Sequence, residues 1–262
     1  MHGGLESRIQ KADTDQDGCA IAVDGISKRF RIPKEKKFTI FENLVGLLRG
    51  GSYAYEDFLA LQGVSFSVQR GETFGVIGPN GCGKSTLLKV LAGVLYPDCG
   101  SFSVNGRIAP FLELGVGFQE ELTARDNVYL YGAIMGLTKK DIDRRYEAIM
   151  GFAELKRFEN MKLINFSSGM YVRLAFATAI QTDPDVLLVD EVLSVGDEAF
   201  QQKCSQKIDQ IRNSGKTILL VSHDLEMVEE LCERCLLMNG GKKVFLGDTE
   251  RALDEYKRMR GR

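Results

Sequence analysis

Gly78, Pro79, Asn80, Gly81, Cys82, Gly83, Lys84 and Ser85 form a complete G-x-x-x-x-G-K-[ST] pattern, followed by Thr86. Glycines let such a backbone close into a ring of N–H donors, and the helix that follows aims its positive end at the same point. The flanks agree with that reading: Gly75-Val76-Ile77 supplies a strand end, and Thr86 to Leu91 a helix. Lys84 then reaches the β- and γ-phosphates of a nucleoside triphosphate, and Ser85 offers its hydroxyl to Mg²⁺. Two carboxylates, Asp190 and Glu191, close the apolar run Val186-Leu187-Leu188-Val189. A strand buried on both faces would deliver them to the loop's edge of the sheet. There Asp190 would hold the hydration shell of Mg²⁺ and Glu191 would polarise an attacking water. His223 follows a second apolar run, Thr217 to Val221, which predicts a role beside the γ-phosphate.

The elements that position these groups can be read from periodicity. Runs 186–189 and 217–221 are fully apolar and rich in Leu, Val and Ile, the mark of buried parallel strands. Val64-Ser65-Phe66-Ser67-Val68 alternates as a half-buried strand, and Arg70-Gly71-Glu72 is expected to turn as a hairpin into the strand feeding the phosphate loop. Residues 1–20 read as a flexible tail, Ile21 opens a strand, and Ser27 to Phe30 follow a tight turn. Residues 31–58 read as an insertion, with Phe41, Leu44, Val45 and Leu48 at helical spacing. Residues 120–180 are mostly helical. Asn239-Gly240-Gly241 marks a hairpin between 235–238 and 243–246, and 249–262 ends the chain in a short charged helix.

Composition narrows the classes. The 262 residues carry a net charge of −2, so nothing global draws the chain to nucleic acid. No run approaches the ~18 uninterrupted apolar residues of a membrane span, and the first residues lack the apolar core of a signal peptide. The six cysteines are dispersed, which suits reduced thiols in a cytoplasmic protein. Cys82 lies inside the phosphate loop, so thiol reagents are expected to block nucleotide binding there. Cys232-x-x-Cys235 has no second pair nearby and reads as two small residues at a helix end. Asp13 to Gly18, with Asp24, imitates a calcium loop, but no helix flanks it and an acidic tail is the better reading.

Phe166-Ser167-Ser168-Gly169-Met170 before a strong helix is by itself only an N-cap. Beside the other motifs it makes the chain resemble the ATP-binding subunits of ABC transporters. The matching residues are Gly78 to Ser85 (Walker A), Ser167 to Met170 (signature), Asp190-Glu191 (Walker B and catalytic carboxylate), Ser194 to Asp197 (D-loop) and His223 (H-loop). The resemblance covers about residues 20–248. It implies an α/β P-loop NTPase, here an ABC ATPase domain over 21–248, with a parallel-sheet core, an antiparallel β subdomain and a helical subdomain carrying the signature. It also implies ATP and Mg²⁺ as cofactors, Phe30 as the aromatic that stacks on adenine, and catalytic roles for Glu191 and His223. Glu113 takes the metal-proximal position at the end of a strand over 108–112, with Gln119 as the alternative.

The Phe-Ser-Ser-Gly-Met signature, the stretch Leu112 to Phe118 and the run Asp190 to Asp197 are similar to the subfamily exporting O-antigen, capsular polysaccharide and teichoic acid. The resemblance implies a homodimer with ATP held between phosphate loop and opposing signature, a polytopic membrane permease as partner, and a lipid-linked glycan reached through it. The chain would then work at the cytoplasmic face of the cell membrane. Some relatives add a carbohydrate-binding domain after the ATPase; the chain ending at 262 is expected to lack it. Other cargo, such as lipid or drug, is the alternative, and a soluble non-transport ATPase is a more distant one. The 31–58 insertion, whose apolar stripe is preceded by the basic residues Arg29, Arg31, Lys34, Lys36 and Lys37, reads either as a helix packed on the β subdomain or as an element meeting an anionic headgroup at the bilayer.

Overall fold

The computed structural model describes residues 18–33, 55–111, 115–190 and 197–261. In chain order its elements begin with β1 (Cys19–Pro33), β2 (Tyr55–Gln69), β3 (Thr73–Ile77), α1 (Lys84–Leu91), β4 (Cys99–Val104) and β5 (Ile108–Phe111). Next come α2 (Ala124–Ile134), α3 (Lys139–Ala153) and α4 (Ser168–Ile180), with two short 3-10 turns, Lys156–Phe158 and Leu163–Asn165, between the last two. The remainder is β6 (Val186–Asp190), α5 (Glu198–Asn213), β7 (Thr217–Val221), α6 (Leu225–Leu231), β8 (Arg234–Asn239), β9 (Lys242–Asp248) and α7 (Thr249–Arg260).

Among the described residues the strands make two sheets. One is antiparallel, in the order β2-β1-β4; the other runs β5-β6-β7-β3-β8-β9 and is parallel except at β9. The parallel strands are apolar over most of their length because both faces are covered. Val186, Leu188, Leu219 and Val221 face a core shared with α1 and the antiparallel sheet. Leu187, Val189, Ile218 and Leu220 face the other core, built with α2, α3, α4 and α5. Every residue of β3 and β7 is buried. The α/β architecture is therefore a parallel-sheet core flanked by a β subdomain on one side and a helical region on the other.

Three local expectations are corrected. Cys19 and Ala20 are buried in β1, paired to the neighbouring strands, so the strand opens ahead of Ile21 and the tail reading does not extend to residue 20. No tight turn precedes Ser27; β1 runs on through register shifts between Val23 and Lys28, where Gly25 takes a φ of +59° that a bulge tolerates. The Arg70–Glu72 turn does not make a hairpin, because β3 pairs with β7 and β8 rather than with β2. A strand apolar on both faces belongs in the middle of the parallel sheet, and the turn carries the chain from one sheet to the other.

The ends of the expected 31–58 insertion are strand: β1 continues to Pro33 and β2 begins at Tyr55. The helical stripe at Phe41, Leu44, Val45 and Leu48 lies outside the described residues, as does the tail up to residue 17.

Candidate functional site

The nucleotide cleft is built where β3 stops. After Ile77 the chain loops through Gly78 to Gly83 and enters α1 at Lys84. Gly83 sits at φ +107°, and a Cβ there would lie 2.4 Å from the Ala60 carbonyl oxygen, so only glycine lets the loop pass this close to β2. Lys84 is only 6 % exposed. Its Nζ donates to the carbonyl oxygens of Gly78 at 2.8 Å and Pro79 at 3.2 Å, which holds the ammonium inside the ring of the loop. That leaves one of its three N–H donors for a phosphate without breaking the loop bonds.

A cleft of about 470 Å³ opens over this loop, lined by Asn80, Gly81, Gly83, Lys84, Ser85, Thr86, Asp190, Ala60 and Phe58. Asp190 comes from the end of β6, the strand next but one to β3; β7 lies between them, with Val221 paired to both Asp190 and Val76. The parallel order thus brings a carboxylate from 106 residues further along the chain to the lysine and serine of the loop. His223, two residues beyond Val221, stands exposed at the same sheet edge but outside the cleft lining. Glu113 and Glu191 lie outside the described residues, as does Ser194. Gln119, the alternative to Glu113, is exposed, and its backbone is tied to Asn127 by bonds of 2.7 and 2.9 Å.

The aromatic wall of the cleft is Phe58, not Phe30. Phe30 is the residue paired with Phe58 across β1 and β2, and its ring has Lys28 Nζ at 5.9 Å. The cleft lining thus takes its aromatic from β2, one strand away from the Phe30 that the resemblance implied. The available signal was proximity: Phe58 stands 20 residues before Gly78 and Phe30 stands 48 before it.

Cys82 is 3 % exposed, and burial pushes its thiol above the ordinary range although the Lys84 charge acts the other way. The expectation that reagents would reach it is corrected on both counts: little surface and little thiolate. Cys232 and Cys235 are buried as well, and Thr249 Oγ1 donates to the Cys232 carbonyl at 2.8 Å. This pair is packing between α6, β8 and α7.

The signature residues occupy a different place. Ser167 caps α4 by accepting from the Met170 N–H at 3.2 Å. Ser167, Ser168, Gly169 and Met170 line a second cleft, of about 770 Å³, together with Asp197. Arg173, one turn into α4, donates to Glu154 at 3.0 Å and to Asp197, and its guanidinium lies 4.9 Å from the Phe200 ring centre. Asp197 also caps α5. Its carboxyl is held below the usual carboxylate range, first by the Phe200 backbone N–H and then by Arg173. Tyr171 bonds the Gly115 carbonyl at 3.0 Å and packs edge-on against Phe118, which ties the stretch after β5 to the signature helix. One chain therefore carries a phosphate cleft and a signature cleft with no lining residue in common.

A buried parallel strand, a glycine loop closing on an inward lysine, and a carboxylate from the strand next but one define a nucleotide-binding domain of the P-loop class. The chain belongs to the ABC transporter family of ATP-binding proteins, whose model matches residues 61–194. It is 44 % identical over 211 residues to the O-antigen export system ATP-binding protein RfbB of Klebsiella pneumoniae, covering 80 % of this chain and 84 % of that one. It is 36 % identical over 236 residues to the teichoic acids export ATP-binding protein TagH of Listeria innocua, covering 90 % and 69 %. Among solved structures, an ATP-binding subunit of an ABC transporter superposes with a TM-score of 0.69 at 25 % identity, covering 92 % and 93 %. An ATP-binding cassette solved as a dimer in a post-hydrolysis state, bound to ADP and Pi, superposes at 0.68 and 22 % identity, covering 87 % and 98 %.

Proposed function

We propose that this chain is the ATP-hydrolysing subunit of an ABC exporter that moves a lipid-linked polysaccharide, such as O-antigen, capsule or teichoic acid, across the cell membrane. The observation that carries the catalytic half is the single cleft shared by Lys84, Ser85 and Asp190. The cargo half rests on the relatives named for O-antigen and teichoic acid export.

The residues present fit Mg²⁺. A serine hydroxyl and one carboxylate are hard oxygen donors, and Mg²⁺ is usually held by one or two such groups together with phosphate oxygens and water. Ser85 and Asp190 would hold it, with Glu113 as the expected metal-proximal residue near the end of β5. The ion would neutralise charge developing on the phosphates. The protein's own work is then positional. The loop N–H groups and Lys84 hold the triphosphate, Phe58 meets the base, and Glu191 takes a proton from the attacking water. His223, at the same sheet edge, contacts the γ-phosphate.

The separation of the two clefts favours a homodimer. Ser167 to Met170 present the N-terminus of α4, and Walker A presents that of α1; each favours an anion. ATP held by one copy would be covered by the signature cleft of the other, so bound nucleotide closes the pair and hydrolysis opens it. A polytopic permease then supplies the membrane crossing, since none of the described helices is long and apolar enough to do so. Exposed Val116, Leu122, Ile134 and Ile164 cluster around α2 and the turn before α4, and offer an apolar surface for that partner.

The experiment is a tagged pull-down from native membranes with mass spectrometry. Recovery of one polytopic protein together with a glycolipid supports the proposal. A permease with a different lipid or drug cargo would overturn the cargo assignment, and a soluble partner or nucleic acid would overturn transport itself.

A further inference from the structure

Of the four charged residues that line the signature cleft, Glu154, Arg173 and Asp197 are joined in ion pairs and Arg157 is in none among the described residues. Arg173 is committed to Glu154 and Asp197, and Lys203 adds a bond to Glu154 at 3.1 Å, so two cations and two carboxylates balance. Arg157, on the 3-10 turn Lys156–Phe158, lines the same cleft. No carboxylate among the described residues pairs with it; its guanidinium lies 4.5 Å from the Phe158 ring centre. Phe158 is itself packed on the core, whereas Arg157 is exposed and so within reach of a second chain. The cleft thus combines a helix N-terminus, a capping serine and one uncommitted guanidinium, with its acidic lining already neutralised.

We infer that Arg157 contacts the triphosphate held by the phosphate loop of a second copy of this chain, and so sets how much ATP is needed to close the dimer. The inference rests on the homodimer reading above. A guanidinium meeting a polyphosphate across a closing, dehydrating interface makes charge-assisted hydrogen bonds stronger than neutral ones, and its fork suits phosphate oxygens. Within its own subunit Arg157 lies outside the cleft that holds the nucleotide, so it is silent until the partner arrives.

The test uses the full chain carrying Glu191→Gln, which is expected to keep bound ATP uncleaved, with and without Arg157→Ala, Arg157→Lys or Arg157→Glu. Fluorescent ATP binding is measured at low protein concentration, and self-association at high concentration by sedimentation. Arg157→Ala is expected to bind nucleotide as the parent does and to melt at the same temperature. The ATP concentration for half-maximal dimer should rise by about tenfold or more, the loss expected for a charged hydrogen bond. Arg157→Lys should recover part of the loss and Arg157→Glu should deepen it. If the parent dimerises and Arg157→Ala dimerises at the same ATP concentration, the Arg157 assignment is wrong while the homodimer stands. A parent that stays monomeric at saturating ATP overturns the homodimer and this inference together.

Discussion

Phe58→Ala decides which aromatic meets the nucleotide base. Phe58 lines the phosphate-loop cleft and is 46 % exposed, so truncation removes a surface presented to ligand and takes little from the core. Stacking of a base on an aromatic ring contributes about 1–3 kcal/mol, which is a loss of roughly 5- to 150-fold in affinity. Phe30→Ala removes the cross-strand partner instead, a change of about 0.2–1 kcal/mol in sheet stability, with nucleotide affinity unchanged. Because the base carries the effect, ATP and ADP should weaken by the same factor, and Phe58→Tyr should bind like the original chain. Calorimetric titration of both nucleotides against the three variants reads all of this. Full affinity in Phe58→Ala, with weakening in Phe30→Ala, would refute the assignment and restore the placement suggested by sequence.

Lys84→Ala should weaken ATP binding by about 10- to 150-fold, the worth of a charged hydrogen bond to phosphate; equilibrium dialysis showing unchanged affinity would contradict it. Iodoacetamide at neutral pH should label exposed Cys99 well before buried Cys82, whose thiol stays protonated; peptide mapping that finds Cys82 labelled first would oppose the burial argument. Asp197 and Glu154 both have folded-state carboxyls held below the usual range, Glu154 first by Lys203. Their contribution to stability is present above the unfolded carboxylate range and is lost as pH falls through the lower folded values. Through these two groups the melting temperature should therefore not vary with pH between 6 and 8, where their stabilisation is fully present, and Asp197→Asn should flatten part of the fall below pH 4.

Much of the fold was legible because buried parallel strands leave an unambiguous trace. Val186 to Val189 and Thr217 to Val221 are buried along their whole length, and the first leads directly into Asp190, which lines the cleft. The Asn239-Gly240-Gly241 turn was equally plain, since both glycines take positive φ between β8 and β9. The antiparallel sheet was harder. Its strands bulge at Gly25, and pairing register across 34–54 places Phe58 beside Phe30, which spacing along the chain does not encode. The turn at Arg70–Glu72 looked like a hairpin because local residues specify the bend, whereas the destination of the next strand depends on burial of both its faces. Within the site, Walker A, Asp190 and the signature are contiguous or strand-terminal and were readable. The charge balance around Arg173, which joins Glu154, Asp197 and Lys203 from three helices and their ends, exists only in the folded chain.

The central claim is that ATP turnover by this chain drives movement of a lipid-linked glycan. Reconstitution with its permease in liposomes, with ATP hydrolysis measured with and without the lipid-linked glycan, tests it most directly. The account predicts turnover that rises when the glycan is added and that disappears in Glu191→Gln while ATP binding persists. Turnover that ignores the glycan but responds to another lipid or drug, or rapid hydrolysis by Glu191→Gln, would contradict it.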